Sequence, residues 1–185
     1  MERYTLLIHT NDAIAPFKAS LEGVFSASSV HVMDSKSLCI DGVYPELDAP
    51  LDDLRNMLSL DFEGTLTFLV VPSGVMRWCA ETYLLEMIHL LEPSTHAFDA
   101  ALVRIFSQKP EMVHWLKQPL KDQLSSPLIK SALALGHANL NTVKAAKNLF
   151  IHRNTLLYRI EQIEMATGLK PNYFNGALIF RLLLL

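Results

Sequence analysis

Between Asn141 and Ile163 the chain reads Asn-Thr-Val-Lys-Ala-Ala-Lys-Asn-Leu-Phe-Ile-His-Arg-Asn-Thr-Leu-Leu-Tyr-Arg-Ile-Glu-Gln-Ile. The adjacent pair Arg153-Asn154 carries the side chains best suited to base edges. Arg matches the O6/N7 edge of guanine, and Asn the N6/N7 edge of adenine. Both fall at the start of an expected helix, and it is the N-terminal residues of a helix seated in a major groove that meet base edges. Tyr158 and Arg159, about one turn on, can reach phosphates or a thymine methyl. Lys144 and Lys147 precede them on a shorter helix that would cross the backbone, where cations position a protein without reading sequence. The candidate DNA contacts are therefore Lys144, Lys147, His152, Arg153, Asn154, Thr155, Tyr158 and Arg159. Arg153, Asn154 and Tyr158 are assigned to bases or base edges, and Lys144, Lys147, His152 and Arg159 to phosphates. Arg159 has a second reading, as an internal ion-pair partner.

Two helices joined by a tight turn must hold these groups. Asn141 or Thr142 can cap the first by accepting a free N–H of its opening turn. Val143, Ala146 and Leu149 recur every three residues and give an apolar stripe. Ala145 and Ala146 are small where two helices crossing at roughly 90–120° must approach closely. Ile151 is placed to plug the space between them, and His152 to cap the second helix. At 3.6 residues per turn, Leu156, Ile160 and Ile163 share one face of that helix. Arg153, Asn154, Leu157, Tyr158 and Glu161 share the opposite one, with Thr155 and Arg159 at the margins. This is the pattern of a DNA-reading helix-turn-helix.

The run Leu149 to Ile160, continued by Ile163 and Thr167-Gly168-Leu169, resembles the C-terminal helix-turn-helix of the PucR and sugar-diacid-regulator family of bacterial transcription factors. The block His-Arg-Asn-Thr-Leu-x-Tyr-Arg, here His152 to Arg159, is its specific part, and every fixed position is present. The resemblance covers about residues 120–185. Ala145 stands where family members often carry Thr, a change that keeps the tight packing. No purine-catabolism or diacid-sensing domain is recognisable upstream, so the resemblance implies DNA binding but carries over no effector. Many relatives carry a degenerate cyclase-like domain before the DNA-binding end. The front of this chain suits a shortened version of it, but has no Gly-Gly-acidic-acidic-Phe signature, so no cyclase activity is expected.

Other chemistries find little support. Glu86-x-x-His89 has the i, i+3 spacing of di-iron bundles, but in one copy and without partner glutamates; a helix-surface histidine is the expectation, and no metal. His152 suits a turn better than acid–base work. Cys39 and Cys79 read as buried or half-buried thiols, since nothing near them in sequence favours a thiolate. There is no Gly-rich phosphate loop, G-x-S-x-G elbow or H-E-x-x-H. We therefore expect no catalytic residues, no cofactor and no enzyme.

The net charge of −3 argues against a nucleic-acid binder until it is divided. From residue 120 onward eight Lys/Arg face three Asp/Glu, a charge of +5, which leaves the front of the chain at −8. Such asymmetry suits nucleic-acid contact by one end only. The 185 residues are half apolar, enough for a sizeable core in one or two domains. Two distant cysteines point to a reducing compartment. No signal-peptide pattern is seen, and no apolar run approaches the roughly 20 residues that span a bilayer. A cytoplasmic protein without a membrane partner is expected.

The fold class expected is α+β. Strands at Tyr4–His9, Ser29–Met33, Ser37–Ile40 and Thr65–Val71, with helices at Asp12–Phe25 and Leu51–Leu60, give the order β-α-β-β-α-β of a small ferredoxin-like unit. Asp41-Gly42 and Pro45 are placed in a loop, and Asp48 or the residues after it at the cap of the second helix. After Gly74 the chain reads as wholly helical. A long helix is placed at Val75–Leu91, with Met76, Cys79, Tyr83, Met87 and Leu90 on one stripe. Others follow at about Thr95–Ser107, Glu111–Lys117, Leu124–Ala138 and Tyr173–Leu184. The domains expected are 1–74, a small α+β sensor or cyclase-like unit; 75–119, a helical connector suited to dimerisation; and 120–185, an all-α helix-turn-helix domain. In the last helix Tyr173, Ala177, Phe180 and Leu184 fit a core stripe, and Leu178, Leu182 and Leu185 are left over. That surplus suggests self-association, and a homodimer is what most helix-turn-helix proteins need to read two half-sites. The whole reads as a sequence-specific transcriptional regulator on double-stranded DNA, with room for an unidentified small-molecule effector. The alternatives are an interaction protein, or a metabolite-sensing module, whose helix-turn-helix no longer binds DNA.

Overall fold

The computed structural model describes residues 4–25, 29–43, 50–61 and 64–185. It is mixed α+β, and the chain divides into two compact units, Met1–Ser73 with Glu81–Ala101, and Gly74–Ala80 with Leu102–Leu185.

The first unit is built on a sheet. Its elements are β1 (Tyr4–Thr10), α1 (Ala15–Val24), β2 (Ser29–Val32), β3 (Ser37–Val43), α2 (Leu51–Asp61), β4 (Leu66–Pro72), α3 (Glu81–His89) and β5 (Thr95–Ala97). The strand order is β2-β3-β1-β4-β5. β2 pairs with β3, β3 with β1 and β1 with β4, all antiparallel; β5 joins β4 in parallel. Side chains alternate between the two faces of a strand, and both faces are used. Leu6, Ile8, Leu38, Ile40, Leu66 and Phe68 meet Phe17 and Leu21 of α1 and Leu54 and Leu58 of α2 in one core. On the other face, α3 packs on β1 and β4 and buries Leu84, Met87 and Ile88.

The second unit is helical. α4 (Phe98–Gln108) begins in the first unit and ends in this one; α5 (Glu111–Asp122), α6 (Ser126–His137), α7 (Thr142–Asn148), α8 (Arg153–Thr167) and α9 (Phe174–Leu184) complete it. α6 packs against α7, α8 and α9, and α5 against α9.

The elements of the front half fall where expected, with one extension. Asp41 and Gly42, expected in a loop, continue β3. Gly42 takes φ +81°, and the β1–β3 register shifts at Tyr4/Thr5. A glycine in the left-handed region beside an irregular register is how a strand absorbs an extra residue without ending. Pro45 and Asp48 lie outside the described residues.

The stretch after Gly74 departs further. In place of one helix over Val75–Leu91 there is a single 3-10 turn, Val75–Arg77, and then α3. Trp78 interrupts the helix. Its Nε1–H donates to the carbonyl of Thr167 at 2.8 Å, and the ring is buried. The expected stripe fails with it: Cys79 and Met87 are buried, but Met76 is exposed. Nor is the stretch wholly helical, because Thr95–Ala97 pairs with Phe68–Val70 as β5. Three residues are too few for a period-2 pattern to show. The expected connector 75–119 is accordingly shared between the two units.

α5 runs through Pro119, where a boundary was expected. An interior proline costs about 3 kcal/mol or more. Met112, Leu116 and Leu120 are each fully buried on one side of this helix, and at about 1.5–3 kcal/mol apiece they outweigh that cost.

Candidate nucleic-acid interface

α7 begins at Asn141, whose Oδ1 accepts the Lys144 N–H at 2.9 Å. Ala145 and Ala146 are buried against Ala134, Leu135, Leu156 and Ile160. Their small side chains let α6, α7 and α8 close on one another. Val143, expected in the stripe, is half exposed; on so short a helix the two alanines turn one face inward and leave Val143 off it.

The turn runs from Leu149 to His152. Phe150 takes φ +54°, and the Ile151 N–H returns to the carbonyl of Ala146 at 3.1 Å. That reversal tucks Leu149 and Ile151 against the alanine cluster, so Ile151 does plug the gap. The same reversal throws Phe150 outward, 96% exposed. Sequence reasoning did not single it out, although it lies off the Val143/Ala146/Leu149 stripe.

His152 is the N-cap of α8, and its Nδ1 accepts the Asn154 N–H at 3.2 Å. α8 ends at Gly168, φ +71°, whose N–H returns to the carbonyl of Glu164 at 2.7 Å. Between these caps Leu156, Ile160 and Ile163 are buried, while Arg153, Asn154, Thr155, Leu157, Tyr158 and Glu161 are exposed. Lys144 and Lys147 are exposed on α7. Among the described residues no ion pair engages Lys144, Lys147 or Arg153. Three uncommitted cations thus stand on α7 and the first turn of α8.

Arg159 differs from the rest. It is half-buried, and its Nη1 donates to Ser131 Oγ at 3.3 Å. Ser131, fully buried, in turn donates to the carbonyl of Pro127 at 2.8 Å. Its observed partner is therefore a hydroxyl of α6. The guanidinium ties α8 to α6 through a hydrogen bond to a neutral hydroxyl, not through the internal ion pair read as its second role.

In α9 the inward residues are Gly176, Ala177, Ile179, Phe180 and Leu183. Tyr173, placed in the core stripe, is exposed, because it precedes the helix and caps it in an extended conformation. Leu182 and Leu185 are exposed, as the surplus on this helix implied.

The first unit holds another polar chain, Asp34–His89–Ser37–His9. Ser37 Oγ lies 3.0 Å from His9 Nδ1 and 3.2 Å from His89 Nε2, and Asp34 Oδ2 lies 3.3 Å from that same Nε2. A hydrolytic triad needs the carboxylate on the nitrogen opposite the hydroxyl. Here both partners share Nε2, and Ser37 is fully buried. The arrangement does not build a nucleophile.

Residues 128–185 match the family described as the PucR C-terminal helix-turn-helix domain. They comprise α7, α8, α9 and nearly all of α6, so the likeness to the PucR helix-turn-helix lies in this segment. The crystal structure of a regulator of polyketide synthase expression from Bifidobacterium adolescentis is similar to the chain at 13% identity and a TM-score of 0.48, covering 100% of this chain and 80% of that one. No curated protein matches. No helix among the described residues is long and apolar enough to cross a membrane.

Proposed function

We propose that the protein is a cytoplasmic, sequence-specific DNA-binding transcriptional regulator, not an enzyme, that seats α8 in a major groove and acts as a homodimer. The observation that carries this reading is the first turn of α8. Arg153, Asn154 and Thr155 stand exposed on a helix whose opposite face is buried, within a segment of the PucR helix-turn-helix type. Side chains that fit guanine and adenine edges sit at the helix end that enters a groove. Lys144 and Lys147 supply phosphate contacts, Tyr158 reads the groove one turn deeper, and His152 orients the turn. We read the first unit as ferredoxin-like, from its β-α-β-β-α-β order, and as the place where an effector would act.

Selection of bound duplexes from a random pool, followed by a salt titration of the winners, tests this. One enriched motif, preferably palindromic, with affinity falling as salt rises, is the expected result. Arg153→Ala should lower affinity for that motif by about 1–3 kcal/mol and relax one position. Lys144→Ala and Lys147→Ala should weaken all sequences alike and flatten the salt dependence by about 0.9 in log–log slope for each phosphate no longer neutralised. No binding at low salt would overturn the reading.

A further inference from the structure

We propose that His31, Cys39 and Asp41, on the β2–β3 ribbon of the first unit, form a binding site for one borderline-soft divalent metal ion, of which zinc fits the donor set best. This site stands independently of the DNA-binding reading.

Strand register brings the three together. His31 of β2 is the direct partner of Cys39 in β3, and directly opposed residues hold their Cβ atoms about 4.5–5.5 Å apart. Asp41 lies two residues beyond Cys39, on the same face of the strand. The imidazole, thiol and carboxylate donor atoms all lie within 4.8 Å of one another. Cys39 Sγ is 3.7 Å from Asp41 Oδ1, and His31 Nδ1 is 3.8 Å from Asp41 Oδ2. Zinc binds sulfur at about 2.3 Å and nitrogen or oxygen at about 2.0–2.2 Å in a tetrahedron, which sets ligand-to-ligand edges of roughly 3.3–3.6 Å. The two measured separations need to close by only a few tenths of an ångström, and the widest, at most 4.8 Å, by about 1.2 Å to reach those edges. The His31 side chain, 46% exposed on an edge strand, has the freedom to supply most of that movement.

Two surrounding features favour a cation. Thr5 Oγ1 donates to Asp41 Oδ1 at 2.8 Å, fixing the carboxylate as outer-shell partners of metal ligands do. The charge on the ribbon also suits a divalent ion. On binding, the metal ion would replace the Cys39 thiol proton, forming the metal–sulfur bond as H+ leaves to solvent. Neutral imidazole, thiolate and carboxylate then balance a 2+ ion. With three protein donors the fourth position is left to water, and the bound ion would tie the short edge strand β2 to β3.

The test uses the full chain, with Co2+ as a spectroscopic probe and Zn2+ competed against a chromophoric chelator. One ion per chain and a thiolate-to-cobalt charge-transfer band are expected. Cys39→Ser should abolish the band. His31→Gln should weaken binding at least 10-fold, and Thr5→Val by about 10–100-fold. His89→Gln, in the neighbouring polar chain, should bind as the parent does. Should Cys39→Ser fail to fold, His31→Gln decides, because its side chain is exposed on an edge strand. Absence of the charge-transfer band, or His31→Gln binding as tightly as the parent, overturns the proposal.

Discussion

Nδ1 of His152 accepts the backbone N–H of Asn154 at 3.2 Å, so the residue that opens α8 is its cap. Removing a side-chain N-cap costs about 0.5–2 kcal/mol, and Asn is among the best replacements. His152→Ala should therefore lower stability by about 1 kcal/mol, while His152→Asn should not. Urea unfolding of the two variants measures this. Equal stabilities would show that the imidazole does not act as a cap. If DNA affinity is restored together with stability in His152→Asn, the histidine acts on DNA through the helix; if only stability returns, it also touches the phosphate.

The Arg159–Ser131 link makes a different claim, that a residue of the expected DNA face serves the packing of α8 on α6. Residues joined by a hydrogen bond show coupling of about 0.5–3 kcal/mol in a double-mutant cycle, whereas independent ones add. Arg159→Met and Ser131→Ala, singly and together, should be non-additive in unfolding free energy measured without DNA. Additivity within about 0.3–0.5 kcal/mol would return Arg159 to the phosphate contacts.

What the sequence made legible follows from periodicity. Leu156, Ile160 and Ile163 fall inward and Arg153, Asn154 and Tyr158 outward because a 15-residue helix repeats its pattern several times. β1 and β4 were equally readable, since each is seven residues long; β3 was read only to Ile40, because Asp41-Gly42 has the composition of a turn yet continues the strand. β5 was not, because three residues carry no period and its pairing depends on a free edge of β4. The break at Trp78 was also hidden. The apolar spacing from Met76 to Leu90 fits a helix, whereas the indole hydrogen-bonds the carbonyl of Thr167, 89 positions away in sequence, a partner that linear spacing does not show. The His31–Cys39–Asp41 cluster was invisible for a related reason: β-register, not linear spacing, brings its donors together. Arg159 lay at the margin of the helical wheel, where direction is undetermined until Ser131 is in place.

Gly176 offers a test in which the expected sign reverses. It lies inside α9, where Gly→Ala ordinarily stabilises a helix by roughly 1 kcal/mol. A Cβ here would stand 2.0 Å from the carbonyl oxygen of Lys170, and a main-chain atom cannot swing aside as a long side chain would. Gly176→Ala should destabilise by about 1–3 kcal/mol, the usual range for forced overpacking, and lower the melting temperature. A rise in melting temperature would mean that the Lys170–Asn172 segment can yield.

The polar chain of the first unit sets a pH dependence. Burial holds the His9 imidazole below its ordinary 6.5, and the neighbouring His89 and Lys36 push the same way against Asp34 and a backbone hydrogen bond at Lys36. The folded chain then takes up this proton less readily than the unfolded chain. Above about pH 6.5 both states leave His9 neutral and the group has no effect on stability. As pH falls below 6.5 the unfolded state binds the proton first, and stability is lost until the lowered folded value is passed. Asp34 acts the same way at lower pH. Burial raises its pKa, but hydrogen bonds from the Lys36 N–H and from Ser37, together with the His89 charge, more than offset this and hold it below 3.8. Its contribution is therefore present above 3.8 and lost as pH drops through the depressed value. The Asp34 window opens only near and below 3.8, so unfolding free energies measured between pH 7.5 and 5 leave it out. His9→Gln should lose less stability across that interval than the parent. Parallel profiles would show that His9 does not carry the dependence.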